Sequence, residues 1–386
     1  MDNSGCLQST SKGILPVLMA FYVMGFGDIV GVATSYTQLE FGLSNTLTQI
    51  LTMLAFVWFA LLSVPISIFQ DRKGKKYTAN WGIVCIGIGM LIPIVCYTYY
   101  GMLASFTFLG IGNTIIQVSA NPLMQDVSAP DKLSRNLTIS QFVKAIAGML
   151  GPFIAASCAI YFDNWSIVYW IYLLVCLITI FWLYVTPIKE SSNTGTASIS
   201  SSLSLLKDKR ILLVVLGTFL MVGFDVGMNT NIVKYLRSSY QVSQEEGSIG
   251  ISIYFSALMV GRFFSAIILN KFRTNIVLVS CAILSICSFI MMFFAPNYLT
   301  GQIAIFLVGL FSASIFPLVF SIGLQYIPER ANELSGLMIM SVCGGGIIPP
   351  IIGLVSDLWS FMPAFFLYGV SLFYVLFFSL KVSRYE

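Results

Sequence analysis

Long apolar runs recur along the whole chain and alternate with short polar segments. A helix needs about 20 predominantly apolar residues to cross the hydrocarbon core of a bilayer, so each run predicts one membrane-spanning helix. The pattern predicts an all-α membrane protein with twelve transmembrane helices, at residues 13–36, 47–69, 78–98, 101–125, 136–161, 166–187, 211–236, 248–270, 275–295, 301–326, 334–356 and 361–382.

The longest polar segment, residues 188–210, divides six predicted spans from six. It is rich in serine and carries charges at both ends, as linkers often do. The first span of each half contains a similar sequence with an intramembrane aspartate, FYVMGFGDIVG from Phe21 to Gly31 and FLMVGFDVG from Phe219 to Gly227. We therefore expect two pseudo-symmetric six-helix bundles, residues 1–187 and 211–386, joined by a cytoplasmic linker.

Composition and charge agree with this assignment. Of the 386 residues, 57% are hydrophobic and only 9% are charged, against about 25% charged in soluble domains. If the loops alternate between the two sides of a membrane, their Lys and Arg residues fall almost entirely on one side, and the other side holds only Lys234 and Arg237. Such an excess marks the cytoplasmic side, so both termini are expected in the cytoplasm. The net charge of +4 then reflects membrane topology, and we expect no nucleic-acid partner.

The chain has few of the residues that build metal or catalytic sites. Its eight cysteines are scattered singly without a CxxC pair, and it contains no histidine. We expect neither disulfides nor a metal site, and carboxylates are left as the candidates for proton coupling. Because the sequence shows no Ser/His, His/Glu or metal constellation, we do not expect an enzyme.

A stripe of amides runs along the fourth predicted span, where Asn113, Gln117 and Asn121 are spaced four residues apart. At a rise of about 1.5 Å per residue, the stripe covers about 12 Å of one helix face. An amide without a partner in hydrocarbon costs several kcal/mol, so this face must contact protein or water. Two interpretations stay open, a helix-to-helix contact and the lining of a solute cavity.

Four charged residues lie deep within predicted spans: Asp28, Lys144, Asp225 and Arg262. A charge near the centre of a spanning helix costs about 2.5–3.5 kcal/mol, so such residues pair or meet water. We expect Asp28 to pair with Lys144 in the first half. In the second half we expect Asp225 to pair with Arg262. Each pair either fixes helix packing or takes part in function.

Further amides lie one helical turn from two of these charges, Gln141 before Lys144 and Asn229 after Asp225. This proximity favours a functional role. The expected solute-binding residues are Asn113, Gln117, Asn121, Gln141, Lys144 and Asn229, and the expected coupling network is Asp28, Asp225 and Arg262.

The loop after the second span reads DRKGKK, from Asp71 to Lys76. A basic loop is in itself only a topology signal. The order Asp-Arg-x-Gly-Lys nevertheless resembles the loop signature of the major facilitator superfamily, in which this loop acts as a cytoplasmic gate. The glycine that usually stands four residues before the aspartate is Ser67 here. The matching residues are Asp71, Arg72, Gly74 and Lys75.

Several longer motifs resemble one branch of that superfamily, the fucose-galactose-glucose:proton symporter family. They are GNTIIQVSANP (Gly112 to Pro122), GRF (Gly261 to Phe263), SASIFPLVFSIGL (Ser312 to Leu324) and CGGGIIPPIIGLVSD (Cys343 to Asp357). The resemblance implies the major facilitator fold and import of monosaccharides through alternating access.

Three positions make the chain more similar to the glucose/galactose branch than to the fucose branch. Gln117 stands where the fucose symporters have a glutamate. Their aspartate of the first span aligns with Gly31, and Asp28 lies about one helical turn earlier. Lys144 stands near the position of an asparagine.

We therefore expect a secondary active transporter that imports a hexose-type monosaccharide together with protons. It is expected to be a monomer in the bilayer of the bacterial inner membrane, with no cofactor besides the coupling ion. The alternatives are a sodium-coupled or uncoupled sugar transporter and a proton-coupled antiporter that exports small amphiphilic molecules. A sugar sensor that does not transport would use the same cavity.

Overall fold

The computed structural model describes residues 3–43, 45–191, 198–242 and 244–382. Within these residues the fold consists of α-helices and short 3-10 segments and contains no strand. The helices are α1 (Asn3–Met24), α2 (Val30–Phe41), α3 (Asn45–Lys73), α4 (Lys75–Val95), α5 (Tyr99–Asp126), α6 (Leu133–Phe162), α7 (Ile167–Val185), α8 (Ile199–Ser204), α9 (Lys209–Tyr240), α10 (Gln244–Ile268), α11 (Thr274–Phe294), α12 (Tyr298–Ser312), α13 (Ile315–Tyr326), α14 (Ala331–Met340), α15 (Gly344–Leu358), α16 (Phe361–Phe366) and α17 (Gly369–Val382).

Ten stretches of the described chain are long and apolar enough to cross a membrane, and they correspond to the third to twelfth predicted spans. The first predicted span corresponds to α1 and α2, and the second to α3, which is 29 residues long. Each of the twelve predicted spans therefore falls on helix.

Several of these spans are interrupted. A 3-10 segment, Gly25–Ile29, separates α1 from α2 in the first span, and Ser341–Cys343 separates α14 from α15 in the eleventh. The tenth span is divided into α12 and α13, and the twelfth into α16 and α17. Periodicity and length did not predict these breaks, because both measures average over a whole span.

Contacts between residues divide the chain into two units. The first unit contains Met1–Leu133, Ser140–Ser204 and Ile327–Met340, and the second contains Ser134–Ile139, Leu205–Tyr326 and Ser341–Glu386. Each unit thus holds most of one predicted half together with a short segment of the other. In the first unit the segment from the other half is α14, which packs on α3, α5 and the linker helix α8.

The first unit is built around α5, which packs closely against α3 and α4. An ideal Cβ placed on Gly112 of α5 would lie 2.7 Å from the carbonyl oxygen of Gly82 in α4, so the two backbones touch where the glycines meet. One end of the same interface is fixed by the Ser105 hydroxyl, which donates to the Gly89 carbonyl at 2.6 Å. This contact fixes the rotation of α5 and therefore the direction of its amide stripe.

The second unit is organised around α9, which packs against α10, α13, α15 and α17. Its core contains an aromatic cluster in which the ring of Phe289 contacts those of Phe224 and Phe365. Tyr235 stacks on Phe365 and donates its hydroxyl hydrogen to the Met292 carbonyl. The buried hydroxyl is thereby satisfied within an otherwise apolar core.

Candidate functional site

In the first unit, Asp28 lies in the 3-10 segment that interrupts the first span. The other four residues of Gly25–Ile29 are buried, whereas Asp28 is exposed. An ideal Cβ on Gly148 of α6 would clash with Asp28 Oδ2, so the carboxylate lies directly against the α6 backbone. Because a charge facing lipid would cost about 2.5–3.5 kcal/mol, this exposure indicates space that water can enter.

Lys144 lies on α6 one helical turn before Gly148 and is half-buried. Its ammonium has no hydrogen-bond or ion-pair partner among the residues that the structure describes. The direct pair with Asp28 that we predicted is therefore not formed in this conformation. The carboxylate contacts α6 one turn further along, at Gly148. Gln141, one turn before Lys144, is buried.

The amide stripe of α5 is buried along its whole length, with Asn113 and Gln117 each 8% exposed and Asn121 2% exposed. Asn121 Nδ2 donates to the Gln117 carbonyl at 2.6 Å, so this amide is partly satisfied within its own helix. Asn113 packs against the backbone of Gly27, and within the described chain its Oδ1 atom is buried without a hydrogen-bond partner. The role of the three amides in solute binding stays a prediction.

In the second unit, Asp225 of α9 has a partner that sequence reasoning missed. The hydroxyl of Tyr254 in α10, which is fully buried, donates to Asp225 Oδ1 at 2.5 Å. Arg262 lies two helical turns further along α10, is half-buried, and donates from Nε to the Ala313 carbonyl at 3.3 Å. The eight-residue spacing of Tyr254 and Arg262 was a signal in the sequence, because it places both on one face of α10.

Asn229 is the remaining candidate for solute binding in the second unit. Asn229 lies one turn beyond Asp225 on α9 and is half-buried. The pairing of Asp225 with Arg262 and the binding role of Asn229 stay predictions.

The DRKGKK sequence, predicted as a loop, forms the end of α3, Gly74 and the beginning of α4, and side chains of the first unit hold it in place. Lys75 Nζ donates to Asp126 Oδ2 at 2.7 Å and to the Ser191 hydroxyl at 2.6 Å, and the lysine and aspartate side chains are only 2% and 5% exposed. Asp71 Oδ1 accepts from Asn332 Nδ2 at 3.1 Å. Gly74 has a φ of 96°, a backbone conformation that favours glycine, and Arg72 is exposed.

The structure explains why a serine is tolerated at position 67, where the superfamily signature usually has a glycine. An ideal Cβ on Gly336 of α14 would clash with Ser67 Oγ, so the glycine at this contact stands on the other helix. The serine hydroxyl is satisfied within α3 by the Val64 carbonyl at 2.7 Å. Two helices can approach closely when either one carries the glycine.

A second cluster, which the sequence did not indicate, anchors the far end of α2. Glu40 accepts hydrogen bonds from Trp165 Nε1, at 2.8 Å, and from the Tyr97 hydroxyl. The ring of Trp165 is buried and stacks on Tyr36 at a centroid distance of 4.8 Å. Burial and the hydrogen bond to Glu40 raise the pKa of Tyr97, so the phenol stays protonated as a donor. This cluster holds α2 in place beyond the break at Gly25–Ile29.

We expect Gly148→Ala to impair function strongly without preventing insertion into the membrane. The added methyl group would clash with the Asp28 carboxylate, so the carboxylate or the helix must shift. Gly353→Ala in α15 is the matched control, because nothing lies within 4 Å of a Cβ there. Transport rates of the two variants at equal membrane abundance test this, and equal rates would show that the Asp28 contact is unimportant.

Three polar groups therefore lie on neighbouring segments of the first unit. They are the accessible carboxylate of Asp28, the half-buried ammonium of Lys144 and the buried amide oxygen of Asn113, which has no partner in the described chain. Such groups can hydrogen-bond a polar solute and exchange a proton. Together with the twelve helical spans, they define the class of multi-pass membrane transporters.

The family model of the Major Facilitator Superfamily matches residues 17–348, with a second match at residues 215–385. The chain belongs to the Major Facilitator Superfamily. This confirms the predicted fold class and the prediction of a transporter rather than an enzyme.

Named relatives are similar over nearly the whole chain. The chain is 23% identical over 386 residues to a glucose/galactose transporter of Brucella abortus, covering 95% of this chain and 93% of the relative. It is 26% identical over 398 residues to a putative glucose/galactose transporter of Helicobacter pylori, covering 95% of each. An L-fucose-proton symporter of Escherichia coli is 23% identical over 364 residues, with 83% of this chain and 81% of the relative covered. These names agree with the predicted branch of the superfamily.

Solved structures show the same fold. The fucose:proton symporter of Escherichia coli superposes with a TM-score of 0.84 at 16% identity, covering 95% of this chain and 98% of that chain. A proton:xylose symporter superposes with a TM-score of 0.76 at 13% identity, covering 98% and 96%. Both likenesses confirm the predicted all-α architecture.

Proposed function

We propose that this protein imports a hexose-type monosaccharide by alternating access and couples this import to protons. The observation that carries the proposal is the buried Asn113 oxygen, which has no partner in the described chain and lies beside the interrupted first span. A buried polar atom without a partner costs about 1–3 kcal/mol unless water or a ligand satisfies it. The names of the relatives, glucose/galactose transporters and fucose-proton symporters, supply the substrate class.

A monosaccharide matches the chemistry of the first unit. Each sugar hydroxyl both donates and accepts hydrogen bonds, and each amide of Asn113 and Gln117 does the same. Lys144 adds a donor without a partner among the described residues. An amphiphilic solute would need a mainly apolar and aromatic lining, so these polar side chains favour sugar import over export of amphiphilic molecules.

Asp28 is the group we propose for ion coupling. It is exposed in the break of the first span, and the chain has no histidine that could carry the proton instead. A carboxylate in this position could also bind sodium, so sodium coupling remains the alternative that the experiment must separate.

The proposed setting is the bacterial inner membrane, with both termini in the cytoplasm and a monomeric carrier. The basic connection between α3 and α4 would then lie on the cytoplasmic side, as the distribution of cations requires. It contains Arg72 and also Lys75, whose ammonium binds Asp126 and Ser191. Asp71 and Gly74, the other two residues of the proposed gate, belong to the same connection.

Uptake by reconstituted vesicles tests the proposal directly. We expect a radiolabelled hexose to accumulate under an inward proton gradient, and an uncoupler to abolish this accumulation. A panel of hexoses should be measured with proton and sodium gradients imposed separately. Accumulation that follows only the sodium gradient would show that sodium, and not the proton, is the coupling ion. Vesicles that transport no hexose would contradict the proposed substrate class.

The same vesicles test the amide stripe. Gln117→Ala should weaken hexose binding about tenfold or more, because loss of a buried hydrogen bond costs about 1–3 kcal/mol. Gln302→Ala is the matched control, since Gln302 is a half-buried amide at the start of α12. Wild-type affinity in Gln117→Ala would show that the stripe serves helix packing.

A further inference from the structure

A cavity of about 340 Å³ lies in the second unit, where the first residues of α9 meet the ends of α13 and α17. Three cationic side chains line it, those of Lys209, Arg210 and Lys381. No residue of the proposed sugar site contributes to this lining. The cavity therefore needs an explanation of its own.

The electrostatics of this cavity favour an anion. Among the residues that the structure describes, the one acid in the lining is Asp208, which accepts the backbone N–H of Arg210 at 2.8 Å and so serves as the N-cap of α9. The described lining thus holds three cationic side chains and one carboxylate that already accepts a hydrogen bond, and Lys209 and Lys381 lie on two different helices. The N-terminal end of the α9 dipole adds positive potential at the same place.

The inner wall of the cavity is apolar. Phe378 is only 1% exposed and Leu213 is half-buried, and both line the cavity. The Tyr374 hydroxyl donates to the Leu213 carbonyl at 3.1 Å, which ties α17 to α9 beside the cavity. The cavity thus lies between two packed helices, with cationic side chains at its opening and apolar side chains along its inner wall.

Apolar side chains continue from this cavity along the outer faces of both helices. Leu212 and Leu216 of α9 are 38% and 39% exposed, and Phe377 of α17 is 55% exposed. In a membrane-spanning protein such side chains contact acyl chains. Lys381 Nζ lies 5.7 Å from the centroid of the Phe377 ring, so the cationic rim adjoins the lipid-facing surface directly.

We propose that this cavity binds the head group of an anionic phospholipid, with its phosphate between Lys209 and Lys381 and its acyl chains along α9 and α17. Basic pockets between spanning helices on the cytoplasmic side are suited to acidic lipid head groups. A free phosphate ion would satisfy the cations equally well. It would give no role to the adjoining exposed apolar faces, and this difference favours the lipid.

The test measures the thermal unfolding midpoint of the full-length protein in detergent micelles. Phosphatidylglycerol, phosphatidylcholine and inorganic phosphate are added separately. We expect phosphatidylglycerol to raise the midpoint more than phosphatidylcholine does, and inorganic phosphate to have no comparable effect. In Lys209→Gln/Lys381→Gln the extra rise from phosphatidylglycerol should fall to less than half.

The matched control is Lys271→Gln/Arg273→Gln, which removes two exposed cations of the second unit that lie outside the cavity. It should respond to phosphatidylglycerol as the wild type does. Should the double variant at the cavity fail to fold, Lys381→Gln and Lys381→Arg give the same comparison, with the response lost in the first and kept in the second.

Three results would overturn the proposal. A full response to phosphatidylglycerol without the cavity lysines would place lipid binding elsewhere. If the control variant lost as much of the response to phosphatidylglycerol, the response would depend on net charge alone and not on this cavity. A comparable rise with inorganic phosphate would identify a site for a free anion.

Discussion

Asp28→Asn should abolish gradient-driven accumulation of the sugar while sparing its binding. Asparagine keeps the size and hydrogen-bonding capacity of the side chain at Gly148 but cannot exchange a proton. When the accessible space around Asp28 closes, loss of water disfavours the charged carboxylate, and reopening restores it. Alternating access can therefore change the proton affinity of this one group, and under the proposed coupling role its removal would uncouple the cycle.

Vesicle uptake and counterflow exchange separate these two effects. We expect accumulation against a gradient to vanish in Asp28→Asn and equilibrium exchange to persist. Asp163→Asn is a suitable control, because Asp163 is exposed after the end of α6 in a left-handed conformation that asparagine also adopts. If Asp28→Asn still concentrates sugar as the wild type does, the coupling acid lies elsewhere, and Asp225 is the next residue to replace.

The sequence predicted which residues of the first unit are polar in the membrane but not how they combine. Spacing placed Asn113 and Asn121 on one face of α5, yet Asn121 bonds to its own helix whereas Asn113 meets Gly27. Lys144 and Asp28 were expected to pair because unpaired charges are costly in lipid. Sequence did not predict that Asp28 packs against Gly148, because such a tertiary contact leaves no periodic signal.

In the overall fold as well, features of a local segment were predictable and contacts between distant segments were not. Spans were predictable because length and hydropathy are properties of a local segment. The grouping of α14 with the first unit was not predictable, because it depends on contacts between distant segments, such as Ser335 Oγ donating to the Val118 carbonyl at 2.7 Å. The cluster around Glu40 was not predicted either, because its partners Tyr97 and Trp165 lie far away in the sequence.

The largest effect on stability is expected at the buried ion pair of Lys75 and Asp126. Both side chains are almost fully buried, and Nζ lies 2.7 Å from Oδ2. Removing one partner of such a pair leaves a buried charge without compensation and destabilises a protein by about 3–5 kcal/mol. We therefore expect Asp126→Leu to unfold at much lower denaturant concentration than the wild type. In Lys75→Met/Asp126→Leu the loss should be smaller than in Asp126→Leu alone, because no uncompensated charge remains.

Unfolding free energies from denaturant titration in micelles, measured for both single variants and the double variant, give the coupling energy of the pair. Lys73→Met serves as the control, because Lys73 is an exposed cation two residues away in the sequence and its loss should change stability by about 0.5 kcal/mol or less. The Ser191 hydroxyl also bonds to Lys75 Nζ, so Lys75→Met should additionally loosen the beginning of the linker. Strictly additive losses in the double variant would mean that Lys75 and Asp126 do not stabilise one another, whatever their distance.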